Sequence, residues 1–407
     1  MTRRSVLRTT GLAVVMTLAA SLVGGESDVQ AADTIRIGEL NSYSRFAAFT
    51  GPYRNGWQLA LEEVNAAGGV LGKQIEIISK DDGGTTQDAV RVAEELVLRD
   101  EVDFIFGTFL SNIGLAVADF ANQKKVLFIA AEPLTDALTM SKGNRYTFRT
   151  RPNTYMQTAM LVQEAKRTGK KRWAVVAPNY EYGQSAANNF KAMVAKEIPG
   201  AEVVVEQYPA LGKIDAGATV QAMLGSNPDG IFSALFGGDL AKFIREGDNR
   251  GLFEDRTVVS LLTGEPEWLD ILKSEAPEGW IVTGYPWQTL DTPEHKKFLA
   301  AYEARFDDHP RLGSVLGYTL IYLIKEAIEK GGSTETETMI EALRGITVDT
   351  PFGPTTIRAE DHQATQGAFV GKIALKNGKG VMVDWYYADG INYMPTIEEV
   401  KAVRPAE

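Results

Sequence analysis

The chain has 407 residues, too many for one ordinary core, so two domains are expected. Hydrophobic residues make up 44% and charged residues 23%, the balance of a soluble globular protein. A formal charge of −11 argues against nucleic acid, whose phosphates need basic partners, and against anionic membrane surfaces, while the absence of cysteine excludes disulfide and thiol chemistry.

The first element is an export segment. "MTRRSVLRTTGLAVVMTLAASLVGGESDVQAADT" has a basic start, an apolar stretch from Leu12 to Val23 and a small-residue ending. The apolar stretch is short of the ~20 residues that cross a bilayer, which predicts a cleaved signal rather than an anchor. Arg3 and Arg4 followed by an apolar pair resemble the twin-arginine pattern. Cleavage is expected after Ala31, with Ala32 as the other choice. With no cysteine there to carry a lipid, the expected product is a freely soluble periplasmic protein.

From residue 34 onward strands and helices alternate. "TIRIGEL" (34–40) reads as a strand, and Trp57, Ala60, Leu61 and Val64 have helical spacing within 52–66, closed by Gly68 and Gly69. "KQIEIISK", "TQDAVRVAEELVLR", "VDFIFG", "IGLAVADFANQ" and "VLFIAA" continue the run, the pattern of a parallel sheet covered by helices. "YTFRTRPNTYMQ" interrupts it, which puts a domain boundary near 150. Alternation then restarts with "RWAVVAP", helix 182–196, "AEVVVEQYP", helix 216–224, "GIFSALF", helix 239–249, "TVVSLL", helix 266–273 and "GWIVTGYP". Helices follow at 293–307, 313–330 and 336–344. The tail is strand-rich, with a "KNGKG" hairpin turn, and is expected to cross back and cap one lobe. The fold class is therefore α/β, with two doubly wound parallel-sheet lobes.

Catalytic constellations are sparse. His295, His309 and His362 have charged neighbours and read as solvated surface residues, and none is paired at zinc-ligand spacing. "AGGVLGKQ" fails as a phosphate loop at Ala67 and Gln74 and reads as a helix end turning into a strand. "DDGGTTQD" lacks calcium-hand spacing and reads as a loop capped by Thr85 or Thr86. No enzyme, metal or cofactor is expected.

In open α/β sheets ligands bind at the carboxyl ends of strands, here the loops 41–50, 81–86, 107–112, 131–136, 178–183, 236–239 and 263–266. One of them, "IFGTFLSNIGLAV", passes from strand to helix through Ser111. Ser111 is either a plain helix cap or part of a site for a ligand's anionic group.

The segments "GPYRNGWQLALEEVNAAGGVLGK", "EIISKDDGG", "VDFIFGTFLS", "VLFIAAEPLTDALT", "FRTRPN", "AVVAPNYEYGQ" and "DGIFSALFGGDLAKFIREGDNRGL" together resemble the leucine/isoleucine/valine-type periplasmic solute-binding proteins of ABC importers. The resemblance runs over about 34–390. It implies a type I periplasmic binding protein, two lobes joined by a three-segment hinge at 149–153, 283–287 and 347–354. Lobe 1 would be 33–150 plus 286–347, and lobe 2 would be 151–283 plus 352–407, after a signal of 1–31. It further implies a monomer that hands a small solute to a membrane permease.

By the same resemblance, Ser111 would take an amino-acid carboxylate and Glu265 its α-ammonium, with Phe49, Tyr182 and Phe236 around the side chain. The pattern departs at Glu132, Pro133 and Leu134, where a small–small–Thr element is expected, and at Asn112, which is bulkier than expected. Glu132 could hold an amine or a hydroxyl, or face solvent. The implied function is capture of an amino acid. The alternatives are an aromatic carboxylate, suited by the aromatic lining and Leu134, or a sensing role beside a membrane receptor.

Overall fold

The computed structural model describes residues 34–406. The expected export segment and cleavage site lie outside the described residues. The first sheet is built from β1 (Ile35–Asn41), α1 (Ala47–Ala66), β2 (Ile75–Asp81), α2 (Thr86–Leu98), β3 (Phe104–Gly107), α3 (Ser111–Lys124), β4 (Phe128–Ala130) and β5 (Thr147–Arg149). Its order is β2-β1-β3-β4-β5, parallel throughout. The inner strands β3 and β4 are buried along their whole length, as expected where helices cover both faces.

The alternation does not stop at 150. The "YTFRTRPNTYMQ" stretch contains β5 and the start of α4 (Thr154–Thr168), which Asn153 caps by accepting the Met156 N–H at 2.8 Å. Arg149 obscures the pattern: it is fully buried in a three-residue strand. Its guanidinium donates to Gln363 Oε1, Thr139 Oγ1 and the Thr135 carbonyl, which makes burial tolerable.

The second sheet uses β6 (Arg172–Val176), α5 (Glu181–Glu197), β7 (Glu202–Gln207), α6 (Ala216–Ser226), β8 (Gly230–Ser233), α7 (Gly237–Asn249), β9 (Thr257–Gly264), α8 (Pro266–Leu272) and β10 (Ile281–Gly284). After it come α9 (Pro293–Phe306), α10 (Leu312–Gly331), α11 (Thr336–Leu343), β11 (Thr347–Thr350), β12 (Gly353–Thr356), β13 (Ala368–Lys376), β14 (Lys379–Ala388) and α12 (Ile397–Val403). The order is β14-β13-β10-β9-β8-β6-β7. Strands β6 to β10 are parallel, and the tail adds β13 and β14 antiparallel at the β10 edge. Asn377 and Gly378, at φ 53° and 72°, form the two-residue turn between β13 and β14.

The chain leaves the first sheet after β5 and returns after β10 to pack α10 along α1. Glycines set that approach: a Cβ on Gly56 would lie 2.0 Å from the Ser314 carbonyl oxygen, and one on Gly317 2.3 Å from that of Tyr53. The start of α10 is thereby held close to Phe49 and Tyr53 of α1.

Two of the three histidines are not surface residues. His295 is fully buried, with Nε2 2.6 Å from the Tyr285 hydroxyl and Nδ1 3.1 Å from the Leu290 carbonyl oxygen. His362 is also buried, stacked on Phe148 at 3.9 Å. Their charged sequence neighbours point elsewhere, which a linear reading does not reveal. His309 stays partly exposed, 2.9 Å from Asp270. The "DDGG" loop is a turn. Asp82 Oδ1 accepts from Ser42 Oγ and Gly84 N, and Thr85 caps α2 by accepting the Asp88 N–H.

Candidate functional site

Between the two sheets lies a cavity of about 470 Å³, counting its opening to solvent. The first lobe lines it with Phe49, Phe109, Ser111, Glu132 and Leu134, and the second with Tyr180, Tyr182, Phe236, Leu262, Glu265 and Glu267. Arg151, from the crossing after β5, and Leu312 and Gly313, from the start of α10, complete the lining. Most of these residues follow the carboxyl ends of strands, where a parallel sheet leaves loops free to face a ligand.

Ser111 is not a cap. Leu110 holds the cap position of α3 and Ser111 is its first residue. The Ser111 hydroxyl instead accepts the N–H groups of Leu134 and Thr135, both at 3.1 Å, tying the loop after β4 to the helix start. Two accepted bonds leave the hydroxyl its proton to donate. Asn112 does not line the cavity, because neighbouring helical residues point about 100° apart. Phe49 sits in the first turn of α1 rather than in a loop, since that helix begins at Ala47.

Three buried carboxylates share the cavity. Glu132 accepts from Asn41 Nδ2 at 3.1 Å, and Glu267 accepts the Gly313 N–H at 3.1 Å, at the N-terminus of α10. Glu265 holds the cap position of α8 but makes no capping bond, and its Oε1 has no hydrogen bond, although Arg151 Nη2 lies 3.6 Å away. Burial pushes the Glu132 carboxyl up to about 8, against the pull of Asn41 and Arg151. Burial, with Glu267 nearby, raises Glu265 well above the usual carboxylate range, and burial raises Glu267 too. Arg151 also donates to the Glu132 carbonyl oxygen at 3.4 Å, so one guanidinium touches both lobes. The Tyr182 hydroxyl is buried without a partner.

The apolar part of the cavity is an aromatic cluster that spans the cleft. Phe49 packs on Phe109 at 5.0 Å, on Trp268 at 4.4 Å and on Phe236 at 6.0 Å, while Tyr182 meets Phe236 at 5.9 Å. Such edge and offset arrangements are favourable ring geometries.

Seven of the eight residues singled out from sequence therefore share this cavity, with Asn112 outside it. Sequence reasoning missed Arg151, Glu267, Phe109 and Tyr180. Phe109 and Tyr180 fall within the loops named from strand ends. Arg151 comes from the crossing segment and Glu267 one residue past its loop. An arginine in "FRTRPN", flanked by a proline at a lobe crossing, was the available signal for Arg151.

Two α/β lobes that line one cleft from both sides are the architecture of an extracytoplasmic solute-binding protein. Residues 34–379 match the family described as periplasmic binding protein, and the chain belongs to that family. It is 29% identical over 340 residues to the leucine-, isoleucine-, valine-, threonine- and alanine-binding protein of Pseudomonas aeruginosa, covering 82% of this chain and 88% of the relative. Among solved structures it is similar to a solute-binding protein of an ABC transporter from Rhodopseudomonas palustris in complex with 3,4-dihydroxybenzoic acid. That pair has a TM-score of 0.78 and 26% identity, covering 88% of this chain and 98% of the other. A closed leucine-, isoleucine-, valine-, threonine- and alanine-binding protein from Brucella ovis shares the fold, with a TM-score of 0.79 at 23% identity, covering 90% and 98%.

Proposed function

We propose that the protein captures an amino acid between its lobes in the periplasm and delivers it to an ABC permease. The observation that carries this reading is the company of Ser111, Arg151 and Glu265 in one cavity. The Ser111 proton and the free amides at the start of α3 suit a carboxylate. Glu265, with an oxygen that no hydrogen bond satisfies, suits an α-ammonium. Phe49, Phe236 and Tyr182 then surround the side chain. The zwitterion's two charges are met from opposite lobes, so the bound solute favours the closed state over the open one. The work is binding and release, and no bond needs to be made or broken. Export as a monomer, cleavage near Ala31, lobes of 33–150 plus 286–347 and 151–283 plus 352–407, and hinge segments at 149–153, 283–287 and 347–354 belong to the same reading.

A second reading, an aromatic carboxylate, is favoured by the Phe49, Phe109, Phe236 and Trp268 rings and by the dihydroxybenzoate bound to the Rhodopseudomonas relative. It leaves Glu265, with its unsatisfied oxygen, without a cationic partner, which counts against it. Calorimetry with leucine, phenylalanine and 4-hydroxybenzoate separates the two. Binding of the benzoate with no amino acid bound overturns the first reading.

A further inference from the structure

The cavity holds more acids than an ordinary zwitterion can use. Glu132, Glu265 and Glu267 face a single guanidinium, Arg151. Each side chain is at least nine-tenths buried, so an acid without a cationic partner holds its proton, and a cation that docks beside it lets it ionise. Glu267 is answered by the Gly313 N–H and the N-terminal end of α10. Arg151 is shared between the Glu132 backbone and the Glu265 carboxylate, and Glu265 keeps an oxygen without a hydrogen bond. An amino acid whose ammonium meets Glu265 and whose carboxylate meets Ser111 adds no net charge. Glu132 then remains, from the opposite lobe, with only the neutral Asn41 amide bonded to its carboxylate.

Apart from Arg151, the cavity wall is largely aromatic. Phe49, Phe236 and Tyr182 present ring faces and edges to the same cavity. A ring face next to a buried carboxylate is a favourable place for an organic cation, since both attract positive charge. The same rings cover the methylene stem of a long basic side chain.

We propose that the solute carries a second cationic group, as a basic amino acid does, and that Glu132 receives it across the cleft from Glu265. This rests on the amino-acid reading above and names the class of amino acid.

The test is calorimetry on the mature chain with lysine, arginine, leucine, phenylalanine and 4-hydroxybenzoate at one ionic strength. Lysine or arginine is expected to bind at least tenfold more tightly than leucine or phenylalanine, and Glu132→Gln is expected to shrink that preference at least tenfold. Leucine or phenylalanine binding as tightly as the basic pair overturns the proposal and leaves the amino-acid reading standing. Binding of 4-hydroxybenzoate with no amino acid bound overturns both. A preference that survives Glu132→Gln overturns the role of Glu132. If that variant does not fold, Glu132→Asp, which withdraws the carboxylate by one methylene, is expected to reduce the preference, and an unchanged preference has the same meaning.

Discussion

Two groups of buried acids in this protein share a chemistry but not a situation. Glu39 lies inside the first lobe, fully buried, and both of its oxygens are used. Tyr43 donates to Oε1 at 2.9 Å and Ser79 to Oε2 at 2.6 Å, with the Arg54 guanidinium stacked over the Tyr43 ring at 3.4 Å. Glu265 in the cleft is almost as buried, yet one oxygen has no hydrogen bond. Burial raises both carboxyls, Glu39 to about 8. What separates them is completeness. A satisfied buried acid holds its own lobe together, whereas an unsatisfied one facing a cavity is ready for a partner from outside.

Substituting each acid by its amide tests that contrast most directly. Glu265→Gln is expected to cost amino-acid binding about 2–5 kcal/mol, the scale of breaking a desolvated charge pair, while leaving the empty protein as stable or more so. Glu39→Gln is expected to do the reverse, lowering the melting temperature and leaving solute affinity within twofold. Calorimetry and thermal unfolding of the two variants decide it. Equal effects on affinity would erase the distinction.

The next largest effect concerns the support of the cleft. Gly56→Ala places a methyl group against the Ser314 carbonyl, where overpacking costs about 1–3 kcal/mol. Because α10 carries Gly313 to Glu267, this variant is expected to lose both stability and affinity, read by denaturant unfolding and by titration. Ser111→Ala is expected to weaken solute binding by about 1–2 kcal/mol and also to destabilise the empty protein, since the Leu134 and Thr135 N–H groups lose their acceptor. Loss of stability with unchanged affinity would restrict Ser111 to tying down its loop.

Protons give a gentler test. Glu39 and Glu132 keep their protons up to about 8 when folded but release them near 4.5 when unfolded. The unfolded state therefore binds fewer protons between those values, and the melting temperature of the empty protein is expected to fall as pH rises from 4.5 to 8. His295, held down to about 4 by burial against a usual 6.5, acts on the acid side, with stability lost as pH falls from 6.5 toward 4. Thermal scans across pH 4–9 check both slopes, and removing Glu39 and Glu132 together as glutamines should make the upper one shallower, with Glu265 and Glu267 keeping part of it. The smallest expected effect lies far from either acid group. Arg305→Ala breaks an exposed pair with Glu62 and should leave the midpoint of chemical denaturation almost unchanged.

The βα alternation, and with it the α/β class and the doubly wound sheets, is visible in the order of apolar runs. Periodicity depends on nearby residues, and a strand buried on both faces must be apolar throughout. Loops at strand ends follow from the same alternation, and within them Ser111, Glu132, Tyr182, Phe236 and Glu265 could be named from the family resemblance before any coordinates. Their partners could not. That Ser111 accepts two amides from a loop 23 and 24 residues away depends on how α3 and β4 come together in space. Arg149 and Arg151 look like surface charges in sequence, and Arg149 can be buried because Gln363, 214 residues on, joins Thr135 and Thr139 as its acceptors. Glu267 becomes a site residue because two glycines let α10 press against α1. Local pattern determines which elements form, since backbone geometry and apolar spacing act over a few residues. Whether a buried charge ends up satisfied is decided by groups far apart in the chain, and that is where the cleft acquired its chemistry.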